Sequence, residues 1–243
     1  MTVQRDSISP VPGSSRETAG RRVLSEEQRL EAEAIVAKYP NPRSALLPLL
    51  FLVQSVEGHV TDEGMREMAE ILNLTPAQVL ASGSFYTMLK KRPQGDYLIS
   101  VCRNIACTHR GGRKLVTALE EKLGIEAGGT TPEGRFSLES AECLAICDGA
   151  PALQVNYEDF YDVSHDDAIE LVDKLARGDE VHSSRGQLVK DSRLISHETA
   201  TAGLRWAEAG VEEARTIGGE VPRPDTAPGT RPKVLGDEGG ADA

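Results

Sequence analysis

Two short stretches decide the fold: Val101-Cys102-Arg103-Asn104-Ile105-Ala106-Cys107 and Glu142-Cys143-Leu144-Ala145-Ile146-Cys147. They hold all four cysteines of a 243-residue chain. Each pair follows a short apolar run that reads as a strand, Tyr97–Val101 before the first and Arg135–Leu138 before the second. A strand sends successive side chains to opposite faces, whereas a loop after a strand can turn two of them towards one point. In a reducing compartment, thiols clustered in this way mark metal binding or redox chemistry rather than structural disulfides. Two pairs suit a rhombic [2Fe–2S] unit, in which each iron takes two soft thiolates beside the bridging sulfides. Three other readings stand beside it. Zinc also accepts four cysteines, though its ribbons use tighter knuckles than a four-residue gap paired with a three-residue gap. A redox disulfide normally uses Cys-x-x-Cys, which is absent. Four buried structural cysteines are the third.

Outward from the pairs, Gly111–Leu123 carries Leu115, Ala118, Leu119 and Leu123 on one helical face, with Gly124 behind it. Gly128–Gly134 is a turn-rich loop. Ala152–Asn156 and Phe160–Val163 flank Tyr157-Glu158-Asp159 and read as a hairpin. Gly149-Ala150-Pro151 predicts a tight turn, in which Pro151 is either cis or, as in most X–Pro bonds, trans. Ser164 caps a last helix, Asp166–Ala176, that Gly178 ends. The order β-α-β-β-α suits a thioredoxin-like sheet with helices on its faces.

Upstream, the periodicity is helical. Ser25 and Gln28 form a capping-box pattern, and Pro40 and Pro42 stop the helix that follows. Arg43–Val56 is apolar almost all round, the pattern of a buried bundle member. Pro48 either kinks it or marks its first turn. Gly58 is its expected C-cap. Thr61 caps a third helix, and Thr75-Pro76 opens a short fourth over Pro76–Ala81. The expected class is therefore α+β: a disordered leader (1–23), a helical bundle (24–90), a thioredoxin-like [2Fe–2S] domain (96–180) and a mostly disordered tail (181–243). Within that tail Thr199–Ile217 has apolar residues at three- and four-residue steps and the only tryptophan, Trp206. It reads either as a solvated, fluctuating helix or as a docking helix for a neighbouring subunit.

Composition narrows the function. The formal net charge is −11 with a pI near 5.0, which repels phosphate backbones and excludes nucleic acid as a general partner. Only 4% of residues are aromatic, so the core is aliphatic. The sequence has no run of about 18 apolar residues, so no membrane insertion is expected. Met1–Arg22 lacks the apolar segment of a secretory signal. No Gly-x-Gly-x-x-Gly follows a strand, so nothing in the chain points to dinucleotide or flavin binding by itself. Arg103, His109, Arg110 and Arg113 lie near the first pair, where positive charge favours a reduced, more anionic cluster. The alternative for these residues is a solvated helix start. Phe85 and Tyr86 read as packing residues.

The sequence resembles the thioredoxin-like [2Fe–2S] subunit of the NADH-oxidising module of respiratory complex I. The resemblance rests on Arg43-Ser44-Ala45-Leu46-Leu47-Pro48-Leu49-Leu50, Gly83-Ser84-Phe85-Tyr86-Thr87-Met88, Val101-Cys102-x4-Cys107, Thr131-x2-Gly134-x-Phe136 and Glu142-Cys143-Leu144-Ala145-x-Cys147-x3-Pro151. It covers about residues 24–180. Ile146 departs from it, since many relatives place Ala before the fourth cysteine. The resemblance implies Cys102, Cys107, Cys143 and Cys147 as cluster ligands. It also implies a flavin-bearing partner subunit that holds FMN and NADH, further peripheral-arm subunits, and electron transfer to quinone. The place implied is the cytoplasmic face of a bacterial inner membrane, within a membrane-bound complex. The equivalent subunit of an NAD-linked hydrogenase or formate dehydrogenase is the nearest alternative, and a zinc-stabilised adaptor is a more distant one.

Overall fold

The computed structural model describes residues 21–202 and 204. Four helices form the first lobe: α1 (Glu26–Ala37), α2 (Leu46–Glu57), α3 (Asp62–Leu72) and α4 (Pro76–Phe85). Local chemistry sets their ends. Ser25 and Gln28 close a reciprocal capping box on α1, and Thr75 and Gln78 close another on α4. Gly58 ends α2 in the left-handed region at φ 77°. A 3₁₀ turn over Pro42–Ala45 leads into α2, so Pro48 sits in the first turn of α2. There its missing N–H costs no helical bond. Leu49, Leu50, Leu52 and Val53 are fully buried, as the all-round apolar pattern required. Helix α4 runs four residues past the expected Ala81, to Phe85.

The bundle also reaches back into the predicted leader. Val23 and Leu24 are buried, and both backbone N–H groups donate to Glu67 Oε2, at 2.7 and 3.2 Å. Residues 1–20 of that leader lie outside the described residues.

The second lobe is a four-stranded sheet in the order β2-β1-β3-β4, with β1 Tyr97–Cys102, β2 Phe136–Ala141, β3 Leu153–Val155 and β4 Glu158–Phe160. β1 runs parallel to β2 and antiparallel to β3, which pairs antiparallel with β4. A parallel neighbour demands a crossover. Helices α5 (Ile105–His109) and α6 (Gly112–Leu123) supply it. α6 and α7 (His165–Arg177) bury Leu115, Leu119, Ala168, Val172 and Leu175 with Ile99, Val101, Phe136, Leu138, Leu153 and Val155 of the sheet.

Further details go beyond the sequence reading or differ from it. α5 was not expected. The hairpin turn is Asn156-Tyr157, at φ 48° and 72°, so Glu158 and Asp159 belong to β4 instead of to the turn. The Ala150–Pro151 peptide is cis. Residues beyond 180 begin with ordered chain: Val181 and Val189 join the sheet core, and a further helix, α8, covers 192–202. Ala200 and Leu204 of the candidate docking helix pack against this chain's own bundle. Trp206 and the remainder of that segment lie outside the described residues.

Candidate metal centre

β1 and β2 are parallel neighbours in register, with Cys102 opposite Ala141. Both strands therefore deliver their following loops to the same edge of the sheet. Cys102 is the last residue of β1, and Cys143 follows two residues after the end of β2. The two loops are tied together. Arg103 N–H donates to Ala141 O at 2.9 Å, and the Arg103 guanidinium pairs with Glu142. The thiols of each pair thus share one end of one sheet.

Cys107 comes from α5, one turn beyond Cys102. Asn104 caps that turn, and Thr108 Oγ1 donates to Arg103 O at 2.7 Å. α6 starts against it so closely that a Cβ on Gly112 would lie 2.8 Å from Cys102 O and 2.9 Å from Cys107 O. On the other side, a Cβ on Gly149 would lie 2.7 Å from Tyr161 Cβ. Glycine at 112 lets α6 close onto the cysteine loop, and glycine at 149 makes room for the Tyr161 side chain. Ala145, between Cys143 and Cys147, takes a left-handed φ of 61°, which turns the second loop back on itself.

The thiols divide into a buried pair, Cys102 and Cys107, and an exposed pair, Cys143 and Cys147. Burial pushes the Cys107 thiol up to about 11. The Ala152 N–H donating to its sulfur acts the other way, while Cys102 and Cys147 nearby add to the rise. Ala145 N–H donates to Cys143 Sγ at 3.3 Å. Backbone amides aimed at sulfur stabilise thiolate and are a known lever on iron–sulfur potentials. Four sulfurs with two amide donors, half shielded from water, are a donor set that fits a two-iron cluster. Among the described residues no three His, Cys, Asp or Glu side chains converge on a single ion position. A two-iron unit asks only for two thiolates per iron.

The arginines near the first pair are less free than their sequence positions suggested. Arg103 pairs with Glu142, and Arg110 with Asp162 at 3.4 Å. Arg113 lines a groove of about 580 Å³ with Arg103, Ile105 and Glu142. Sequence reasoning missed Ala145, Ala152 and Gly112 as parts of the site. Only the glycine could have been found, as one half of Gly111-Gly112 shortly after the first pair.

In the cluster-free chain, iodoacetamide at pH 8 is expected to modify Cys143 and Cys147 well before Cys102 and Cys107. Burial limits access to the inner pair, and a raised thiol pKa leaves Cys107 less thiolate at that pH. Its modification rate should climb as pH rises towards 11, and peptide mapping reads the order directly. Equal rates at all four thiols would contradict the division.

Residues 32–176 match the family model described as thioredoxin-like [2Fe-2S] ferredoxin, a span that includes all four cysteines. A Mycobacterium bovis protein, named as the E-type subunit of NADH-quinone oxidoreductase, is 46% identical over 149 residues, 60% of this chain and 59% of that protein. A Rhizobium meliloti protein, named as a second E-type subunit of NADH-quinone oxidoreductase, is 38% identical over 143 residues, 58% of this chain and 85% of that protein. A Thermus thermophilus protein named NADH-quinone oxidoreductase subunit 2 is 40% identical over 130 residues, 53% and 72% of the two chains. The matched part of this chain spans less than two thirds of the mycobacterial relative's length.

Proposed function

The chain belongs to the thioredoxin-like [2Fe-2S] ferredoxin family, and from that premise we propose that it is the electron-transfer subunit of an NADH-quinone oxidoreductase, with the cluster on Cys102, Cys107, Cys143 and Cys147. The observation that carries this reading is the delivery of both thiol pairs to one sheet edge by parallel neighbour strands. The family supports an iron–sulfur cluster, and the relatives' names support a multi-subunit oxidoreductase. Those names also favour a quinone-linked complex over a hydrogenase or formate dehydrogenase.

When bound, the cluster supplies one-electron transfer. The chain's own residues do the rest. Cys102 and Cys107 anchor from the buried side, where Ala150 and Ala152 exclude water. Cys143 and Cys147 face outward, so electron exchange is assigned to their side. FMN and NADH belong to the partner subunit in this proposal, and the partners are that subunit and other peripheral-arm subunits. No helix among the described residues is long and apolar enough to cross a membrane. Attachment at the cytoplasmic face of the inner membrane is accordingly proposed to run through those partners.

Isolation of the tagged chain from its host tests the proposal. The purified chain alone should not oxidise NADH. The complex that comes with it should carry flavin and reduce quinone with NADH. Co-isolation with a hydrogen- or formate-oxidising activity in place of quinone reduction would contradict the assignment, as would NADH oxidation by the flavin-free chain.

A further inference from the structure

Gln54 is the one polar residue among the buried positions of α2, the most apolar helix of the chain's described residues. An amide buried without partners is heavily penalised, so its partners explain why it is there. Its Nε2 donates to Met88 O at 3.2 Å and to Ser196 Oγ at 3.1 Å, and its Oε1 accepts from Lys90 N at 2.7 Å. Gln54 therefore holds both the linker between the lobes and helix α8.

The other end of α8 holds the second lobe. Ser192 N–H donates to Asp96 O at 2.8 Å, and Ser192 Oγ donates to Gly95 O at 3.0 Å. Asn156, almost fully buried, donates through Nδ2 to Asp96 O and to Lys190 O, and its Oδ1 accepts from Leu98 N. Ser196 Oγ closes the chain of bonds by donating to Ser192 O at 2.8 Å. Arg193 donates to Val56 O at 2.7 Å, and Ala200 is buried in the bundle core. One hydrogen-bond network thus runs from α2 through the linker and α8 to β1 and the β3–β4 turn.

We propose that residues 181–202, which follow the family-matched span, form a clasp that locks the helical bundle onto the cluster lobe, with Gln54 as its socket. The linker over 86–96 already touches both lobes, through Val60 N–H to Lys90 O at 2.7 Å, Lys90 Nζ to Glu139 at 3.1 Å and Gly95 N–H to Ser137 Oγ at 2.8 Å, and the clasp adds a second strap across the same joint. The two straps make the lobes one body, so that bundle and thiol edge present a single fixed face. This inference stands whether or not the cluster assignment holds.

Hydrogen exchange on the full-length protein tests it, with Ser192→Pro and Gln54→Leu as variants. Asp191 caps α8, since its side chain accepts from Leu194 N at 2.9 Å, so position 192 is the first helical residue. Proline is favoured there. Ser192→Pro removes both Ser192 bonds, to Gly95 and Asp96, keeps the Asn156–Lys190 bond and leaves the helix able to form. Amides at 88–96 and 190–202 should then exchange about tenfold faster or more. Amides of α3 and α7 should keep their wild-type rates, which confirms that each lobe stays folded. Wild-type exchange at 88–96 and 190–202 in both variants would overturn the clasp. Should either variant fail to fold, the unaltered chain decides. Protection of 190–202 comparable to that of α7 supports the clasp, and exchange at the rate of a free peptide overturns it.

Discussion

Cys107→Ala is expected to strip the protein of its cluster, leaving less than about a tenth of the wild-type iron and acid-labile sulfide, because one iron is left with a single thiolate. The fold should survive the change. Cys107 is a small, buried residue on a five-residue helix held by its own cap and by the Thr108–Arg103 bond. Alanine fills most of its volume and keeps the backbone N–H and C=O in place. Cys147→Ala should give the same loss from the exposed side. Far-ultraviolet dichroism separates ligand loss from unfolding. Wild-type iron content in either variant would contradict the ligand assignment.

The second large effect comes from a residue with no side chain. Gly112→Ala would place its Cβ within 2.8 Å of Cys102 O and 2.9 Å of Cys107 O. Both are backbone oxygens with no rotamer to escape into, so α6 must move away from the cysteine loop. Overpacking of this kind costs about 1–3 kcal/mol. Here the displaced atoms also carry two of the four thiols. Denaturant unfolding should show that loss, and the bound cluster should bleach faster in air than in the wild type. Gly111→Ala is the control. Its φ of 101° disfavours a side chain, but a Cβ there meets nothing within 4 Å. It should cost only about 1–2 kcal/mol of backbone strain and leave the cluster's lifetime unchanged. Equal cluster lifetimes in Gly112→Ala and the wild type would remove Gly112 from the site.

Features written in local chemistry were legible in the sequence. Ser25 with Gln28, Thr75 with Gln78 and the glycines at 58, 124 and 178 act within a few residues of themselves, so their caps could be read one helix at a time. The strands before the two cysteine pairs were legible for the same reason. The spacing of the thiols after them carries the chemistry, although nothing in it tells which pair is buried. That division follows from the Ala150–Ala152 segment and from Ile146, which pack beside Cys102 and Cys107.

Features that depend on distant partners were not legible. α5 has five residues and no periodicity, and the linked cysteine loops give it its place. The expected turn starts one residue late and runs two residues too far because Glu158-Asp159 looks like a turn, while Tyr157 at φ 72° carries no turn signature. Segment 181–202 is polar and reads as tail. Its bonds reach backbone and side-chain atoms far away in sequence, Gln54 and Gly95 among them. Nothing in the sequence marks Gln54, and its purpose shows only once α8 is in place.

Metal and sulfide analysis of the anaerobically purified full-length chain decides whether the two thiol pairs hold a two-iron cluster. The predicted result is about two iron and about two acid-labile sulfide per chain, with visible absorption that bleaches on reduction by dithionite. Full occupancy by zinc, with no sulfide and no visible absorption, would contradict it.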